Sequence, residues 1–173
     1  MQFDAGIHFN QIVCPAIDDY LAAENALTVA AKSGEGLEQA KYKALRLGAA
    51  AAIFLHHFSD VIASRPTENV PDFKGDVGEV RAWLTTMGTD DVALLRDTAD
   101  ALKHAVLDPK RARDVQHSGL VLATQRAYGL GRFGEGKFGG TEQVWILANS
   151  GTRPLSIVLK SVRDAWLKAL SVN

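Results

Sequence analysis

The chain has 173 residues and one cysteine, Cys14, so no intramolecular disulfide can form and a disulfide scaffold is excluded. A reducing compartment fits that usage. Cys14 stands in an apolar run before Pro15 and reads as a small buried residue, not a nucleophile. Net charge is almost absent, at −1 from 19 Lys+Arg against 20 Asp+Glu. Overall charge therefore argues for neither nucleic acid nor a membrane surface. No long hydrophobic run occurs. The longest low-charge stretch, Leu47–Ser59, is interrupted by His56 and His57 and is shorter than the roughly 20 residues a bilayer requires. No charged-then-apolar leader opens the chain, so the expectation is a cytoplasmic protein without a secretory signal. There is no G-x-S-x-G nucleophile elbow, no Glu-x-x-His pair and no Cys/His cluster of zinc spacing. No metal or cofactor is expected.

What is present fits a globular chain, with 47% hydrophobic and 23% charged residues. That length supports one domain with a real core. The charges are unevenly placed. Residues 1–108 carry 9 basic against 16 acidic residues, a net −7, while residues 109–173 carry 10 against 4, a net +6. Such a split marks either a polyanion-facing half or two halves that attract each other.

Pro15 suits the first turn of a helix running to about Ala31, closed by Lys32-Ser33-Gly34-Glu35-Gly36. A second helix is expected from Leu37 to about Ser64, ended by Arg65-Pro66. Its apolar stripe is Leu47, Ala51, Phe54, Phe58 and Val61, and Gly48 before four alanines suggests a close helix–helix approach. Measured from Phe54, His57 borders that stripe and His56 points about 160° away. Asp76, with Glu79 three residues on, caps a short helix through Trp83 to Met87. Thr89 is expected to cap the next helix, which Asp108-Pro109 ends. Two strands are expected at Leu120–Ala127 and Gln143–Ala148. They flank Gly129–Gly140, which has six glycines and reads as a hairpin loop. Thr152 and Pro154 then begin a last helix carrying Leu155, Val158, Leu159, Val162 and Trp166. The expected fold is mainly α: a single bundle of about five helices over residues 1–173, with a β-hairpin at about 118–148 before the last helix.

Leu94–His104, reading L-L-R-D-T-A-D-A-L-K-H, combines an apolar stripe with a dense set of ionisable groups. At about 100° per residue, Val92, Leu95, Ala99, Leu102 and Val106 share one stripe. Asp97, Asp100 and His104 fall within roughly 40° of the opposite pole, and Arg96 and Lys103 lie together on a flank. The plain expectation is a solvated face with i,i+4 pairs such as Asp100–His104 and Arg96–Asp100. The functional expectation makes Arg96, Asp100 and His104 candidate catalytic residues, with Lys103 beside them for binding. In the glycine loop, G-x-G-x-x-G occurs at Gly129–Gly134 and again at Gly134–Gly139. A strand follows instead of the helix whose N-terminus would hold a pyrophosphate, so neither match indicates a nucleotide site. Arg132 and Lys137, beside Phe133 and Phe138, remain candidate phosphate or base contacts.

The run R-D-T-A-D-A-L-K-H, followed by a hairpin and a tryptophan-bearing helix, resembles a group of uncharacterised bacterial and phage proteins over about residues 92–170. More distantly, Arg96-Asp97 with His104 downstream resembles the HEPN superfamily, whose motif is an arginine, a polar residue and a histidine. Seven residues separate Arg96 from His104, against four to six in that motif, and Arg111 and His117 are separated by five. The resemblance implies a dimerising helical bundle acting as a metal-independent ribonuclease or RNA-binding partner. It also implies that Arg96 stabilises a phosphate transition state and that His104 is general acid or base for a ribose 2′-hydroxyl.

Three functions follow as expectations. The first in rank is a non-enzymatic interaction protein that docks a second copy or a protein partner through its hairpin and last helix. Next is the HEPN-like RNA reading, using Arg96 and His104 with the basic half from Lys110 to Lys137. Last is a metal-dependent hydrolase built on Asp97, Asp100 and His104 with His57 or Asp60, which resembles bundle-core metal sites only in outline. No membrane partner is expected.

Overall fold

The structure, a computed structural model, describes residues 4–65, 67, 70–104, 107, 113–124 and 142–171. It is mainly α, with a small antiparallel sheet before the last helix. The first rod is longer than Pro15 suggests. Helix α1 (Ala5–His8) passes through a π turn at Phe9–Val13 into α2 (Cys14–Ser33) without a break. Pro15 has no N–H for the carbonyl four residues back, and its ring crowds that carbonyl. The π turn immediately before it widens the ladder, with the Cys14 N–H donating to Phe9 O. Gly34, at φ 76°, closes α2 with its N–H on Ala30 O.

Helix α3 (Leu37–Ser64) has the bounds expected of it. Its apolar stripe is rotated from the expected one. Ala44, Gly48, Ala51, Leu55, Phe58 and Ile62 are buried, and Phe54 is exposed. The helix is covered on two sides, because α2 packs along one and α5 (Val92–His104) crosses the other. By length and composition α3 is apolar enough to cross a membrane, yet half of that stretch is buried against the rest of the chain. Gly48 sits at a close approach: a Cβ there would meet Leu155 Cδ2 at 2.8 Å and Tyr20 Cε2 at 3.0 Å. Helix α4 (Val77–Thr85) starts at the expected cap, where Asp76 Oδ1 accepts from the N–H groups of Gly78 and Glu79.

The sheet has three strands in the order β1 (Val121–Thr124), β2 (Gln143–Ala148), β3 (Gly151–Pro154). The expected β1–β2 pair is there, with Val121 opposite Ile146 and Leu122 opposite Trp145. Strand β3 was not expected, since Thr152 and Pro154 read as a helix start. Instead Pro154 pairs opposite Trp145 and Ala148 opposite Gly151, and α6 (Leu155–Ser171) begins one residue later. A proline is tolerated there because the strand is at the sheet edge.

Helix α6 lies in the middle of the core. Trp166 is fully buried among Phe58 (ring centroids 4.8 Å apart, near edge-on), Trp83 and Phe9. A second, polar pin joins α2 to the sheet. The Tyr20 hydroxyl donates to Glu24 Oε1 at 2.7 Å, and the Val144 N–H donates to the same oxygen at 3.2 Å. Burial, and then the Glu24 charge, push the Tyr20 hydroxyl well above its usual pKa.

Part of the charge split is met inside the chain. Acids of the first 108 residues meet arginines of the remainder at Asp97–Arg113 (2.7 Å), Asp91–Arg153 (2.8 Å) and Asp18–Arg163 (3.6 Å). Lys41 and Glu142 form a tie of opposite sense at 3.5 Å. These contacts favour two halves that attract each other.

Candidate functional site at the seam of α3, α4 and α5

The ionisable groups of α5 do not stand in a row facing water. Asp97 is buried at 3% exposure, which corrects the expectation that it points outward. Helix α5 is covered on nearly every side: Leu95 and Ala99 are buried along the expected stripe, and Leu94, Thr98 and Ala101 are buried away from it. The segment after α5 closes over Asp97. Arg113 Nη1 donates to Asp97 Oδ1 at 2.7 Å, Arg96 Nε donates to the same oxygen at 2.8 Å, and the Asp114 N–H donates to Oδ2 at 2.8 Å. Burial alone would raise the pKa of Asp97. The two arginine hydrogen bonds and the backbone N–H outweigh it and hold the carboxyl below its usual value.

Asp100 is half-buried. It meets Arg113 Nη1 at 3.2 Å and His56 Nε2 at 3.7 Å, so the expected pairs to Arg96 and His104 are not formed. The two α3 histidines exchange the places expected of them. His56 is buried under α5, and His57 is the half-exposed one. Burial and the nearby Arg81 charge push His56 down to about 4, against a smaller opposing pull from Asp100 and Asp60. His56 is therefore neutral at pH 7. His57 Nδ1 lies 2.6 Å from Asp60 Oδ2, and its Nε2 lies 3.5 Å from Lys103 Nζ. The His57 ring thus bridges Asp60 and Lys103.

Arg81 of α4 completes the seam. Its Nη2 is 3.7 Å from Asp60 Oδ1, an ion pair beyond hydrogen-bond length, and its Nε is buried with no hydrogen-bond partner among the described residues. Burial lowers its pKa from the usual arginine value. The charges of Arg96 and Arg113 push the same way, and Asp60 and Asp100 oppose them. Three guanidinium groups thus lie within electrostatic reach of one another.

The structure ties Arg96 to Asp100 through Asp97 and Arg113, places Lys103 in a neighbouring set with His57, Asp60 and Arg81, and leaves His104 exposed at the end of α5. Eight residues at about 100° and 1.5 Å each place Arg96 and His104 about 80° and about 12 Å apart along the helix. Arg132, Lys137, the rest of the glycine loop and Lys110–Ala112 lie outside the described residues. Among the described residues, no three of His, Cys, Asp and Glu are placed to hold a metal ion. Arg81 and Arg113 were not expected here. Arg113 falls in the basic half that begins at Lys110, but nothing in that run points to Asp97, and Arg81 on α4 carries no local signal. At the N-terminal end of α5, Thr89 Oγ1 accepts from the Asp91 N–H, while the Leu95 N–H bonds Asp91 O. The Asp91 carboxylate is turned to Arg153. Cys14 is partly buried, and burial is the main influence raising its thiol pKa.

Compared with models of protein families, with curated proteins and with solved structures, the chain matches none.

Proposed function

We propose that this chain is a non-enzymatic interaction module that recognises an anionic partner surface through the charged rim of the α3–α4–α5 seam. The observation that carries this is the state of Asp97. A carboxylate that accepts three hydrogen bonds from two guanidinium groups and a backbone N–H ties elements together and is held in its charged form. His56 is held neutral and buried. At the outer edge, Arg96, Arg81 and Lys103 stand half-exposed or exposed. The last helix is a poorer docking element than its sequence suggests, because Val158, Leu159, Val162 and Trp166 are buried in the chain's own core. Recognition is therefore assigned to the rim.

The test is light scattering of the purified chain at low and at high ionic strength, for wild type and for R96E/K103E. The expected result is an assembly, with a second copy or a retained protein, that dissociates as salt rises and is weakened by the charge reversals. A strict monomer without a companion at low salt rejects the proposal.

The HEPN-like alternative is favoured by one feature, the presence of Arg96 and His104 at accessible positions on one helix. In it the chain binds or cleaves RNA without metal, with Arg96, Asp100 and His104 as the acting residues and a steep loss of binding with salt. Failure to bind RNA at low salt in the presence of chelator rejects it.

A further inference from the structure

We infer that the Arg81–Arg96 edge of the seam is an oxyanion site whose ligand is a phosphate group, either the free ion or a phosphate monoester. The inference rests on the interaction-module proposal and names what the rim recognises. Among the described residues the Arg81 side chain makes no hydrogen bond: its Nε is buried and unpartnered, and its ion pair to Asp60 is 3.7 Å long. A guanidinium presents its Nε–H and one Nη–H side by side, the spacing of two oxygens on one phosphorus or carbon. Leaving that buried donor without an acceptor is unfavourable, and a bound oxyanion removes the penalty.

Arg96 supplies a second fork. Among the described residues only its Nε is engaged, on Asp97, so its terminal nitrogens are available at the half-exposed edge. Among the described residues Lys103 contacts only His57 Nε2, at 3.5 Å, a long contact that it can leave for an anion.

The charge count points the same way. Arg81, Arg96, Arg113 and Lys103 face Asp60, Asp97 and Asp100, leaving one positive charge over. Burial and the neighbouring Arg96 and Arg113 charges both work against the charge on Arg81, and an added anion would offset both. The two carboxylates deepest in the seam, Asp97 and Asp100, are both held by Arg113, and of the outer guanidinium groups Asp97 takes only the Arg96 Nε. Phosphate is favoured over a single carboxylate because it carries more oxygens and more negative charge for a guanidinium fork and its cationic neighbours.

The experiment is calorimetric titration of the whole chain with inorganic phosphate and, separately, with O-phosphoserine, at constant ionic strength with chloride as the exchanged ion. Wild type is expected to bind saturably, with affinity falling about tenfold or more in R81K, which keeps the charge but loses the fork, and in R96Q. Thermal unfolding without phosphate checks that each variant is folded, and R96Q, at the half-exposed position, keeps the test decisive if R81K is not. Tighter binding of O-phosphoserine assigns the phosphate to a larger ligand, and tighter binding of inorganic phosphate assigns it to the free ion. No saturable binding, or equal binding by wild type and folded variants, overturns the site. A chain that fails to bind phosphate but still assembles in a salt-sensitive way removes this ligand class alone. A chain that binds phosphate without assembling keeps the site and removes the module.

Discussion

Arg113 Nη1 lies 2.7 Å from Asp97 Oδ1, and the Asp114 N–H donates to the other oxygen of the same carboxylate. One buried acid on α5 therefore anchors the chain that leads into the sheet. Asp114 extends the tie, accepting from the N–H and hydroxyl of Ser150 in the β2–β3 turn.

Asp97→Asn keeps the shape and removes the charge, leaving Arg113 and Arg96 facing a neutral amide in a buried place. A loss of about 3 kcal/mol or more is expected, since removing one partner of a buried ion pair typically costs roughly 3–5 kcal/mol. Urea unfolding followed by circular dichroism measures it, with an unchanged m-value showing that the folded state is the same. A change under about 1 kcal/mol would mean that Asp97 is not the anchor.

The pH dependence has a definite sign. His56 is pushed down to about 4 in the folded chain, below the usual histidine value of 6.5. Between those values the unfolded chain binds the proton and the folded chain does not, so stability falls as pH drops from about 6.5 to about 4. The difference corresponds to roughly 3 kcal/mol. Asp97, whose pKa is lowered, adds a further loss below the usual carboxylate value of 3.8. Denaturant midpoints for wild type and His56→Gln across this range test the assignment. The variant should lose the slope above pH 4 and keep the loss below it.

Gly48→Ala is predicted to destabilise although it replaces glycine in the middle of a helix, where alanine is ordinarily the better residue by roughly 0.5–1 kcal/mol. The added Cβ would lie 2.8 Å from Leu155 Cδ2 and 3.0 Å from Tyr20 Cε2. Overpacking of this kind costs about 1–3 kcal/mol. Thermal melting of the variant gives the sign directly. An increase in Tm would show that Leu155 moves aside freely.

Asp91 and Arg153 form a buried pair, with Nη1 to Oδ1 at 2.8 Å and Nη2 to Oδ2 at 3.4 Å, joining α5 to β3. Asp91→Asn is expected to cost about 3 kcal/mol, and the Asp91→Leu/Arg153→Met double variant less than the sum of its parts. A double-mutant cycle in urea reads the coupling. Additive losses would mean that the pair contributes nothing as a pair.

Two helices were legible in the sequence by itself, one at both ends and one at its start, because the signals are local: α3 follows from unbroken apolar periodicity between Gly36 and Arg65, and the start of α4 from the Asp76 cap. The two strands of the β1–β2 pair were legible for the same reason, through short apolar runs bounded by turn residues, whereas their register came from the fold. Pro15 misled because a proline start and a proline bridged by a π turn look alike until the preceding segment has something to pack on. Pro154 misled because its fixed φ suits an edge strand as well as a first helical turn. The seam was decided only by tertiary structure. Angles around one isolated helix identify the face opposite its apolar stripe, but a helix at the centre of a bundle is covered on more than one side. Asp97 and His56 were therefore assigned to water and lie inside, while Phe54 was assigned to the core and lies outside. Their burial depends on where α5 crosses α3 and on Arg113, sixteen residues further along the chain than Asp97, and no local pattern around either helix encodes that crossing.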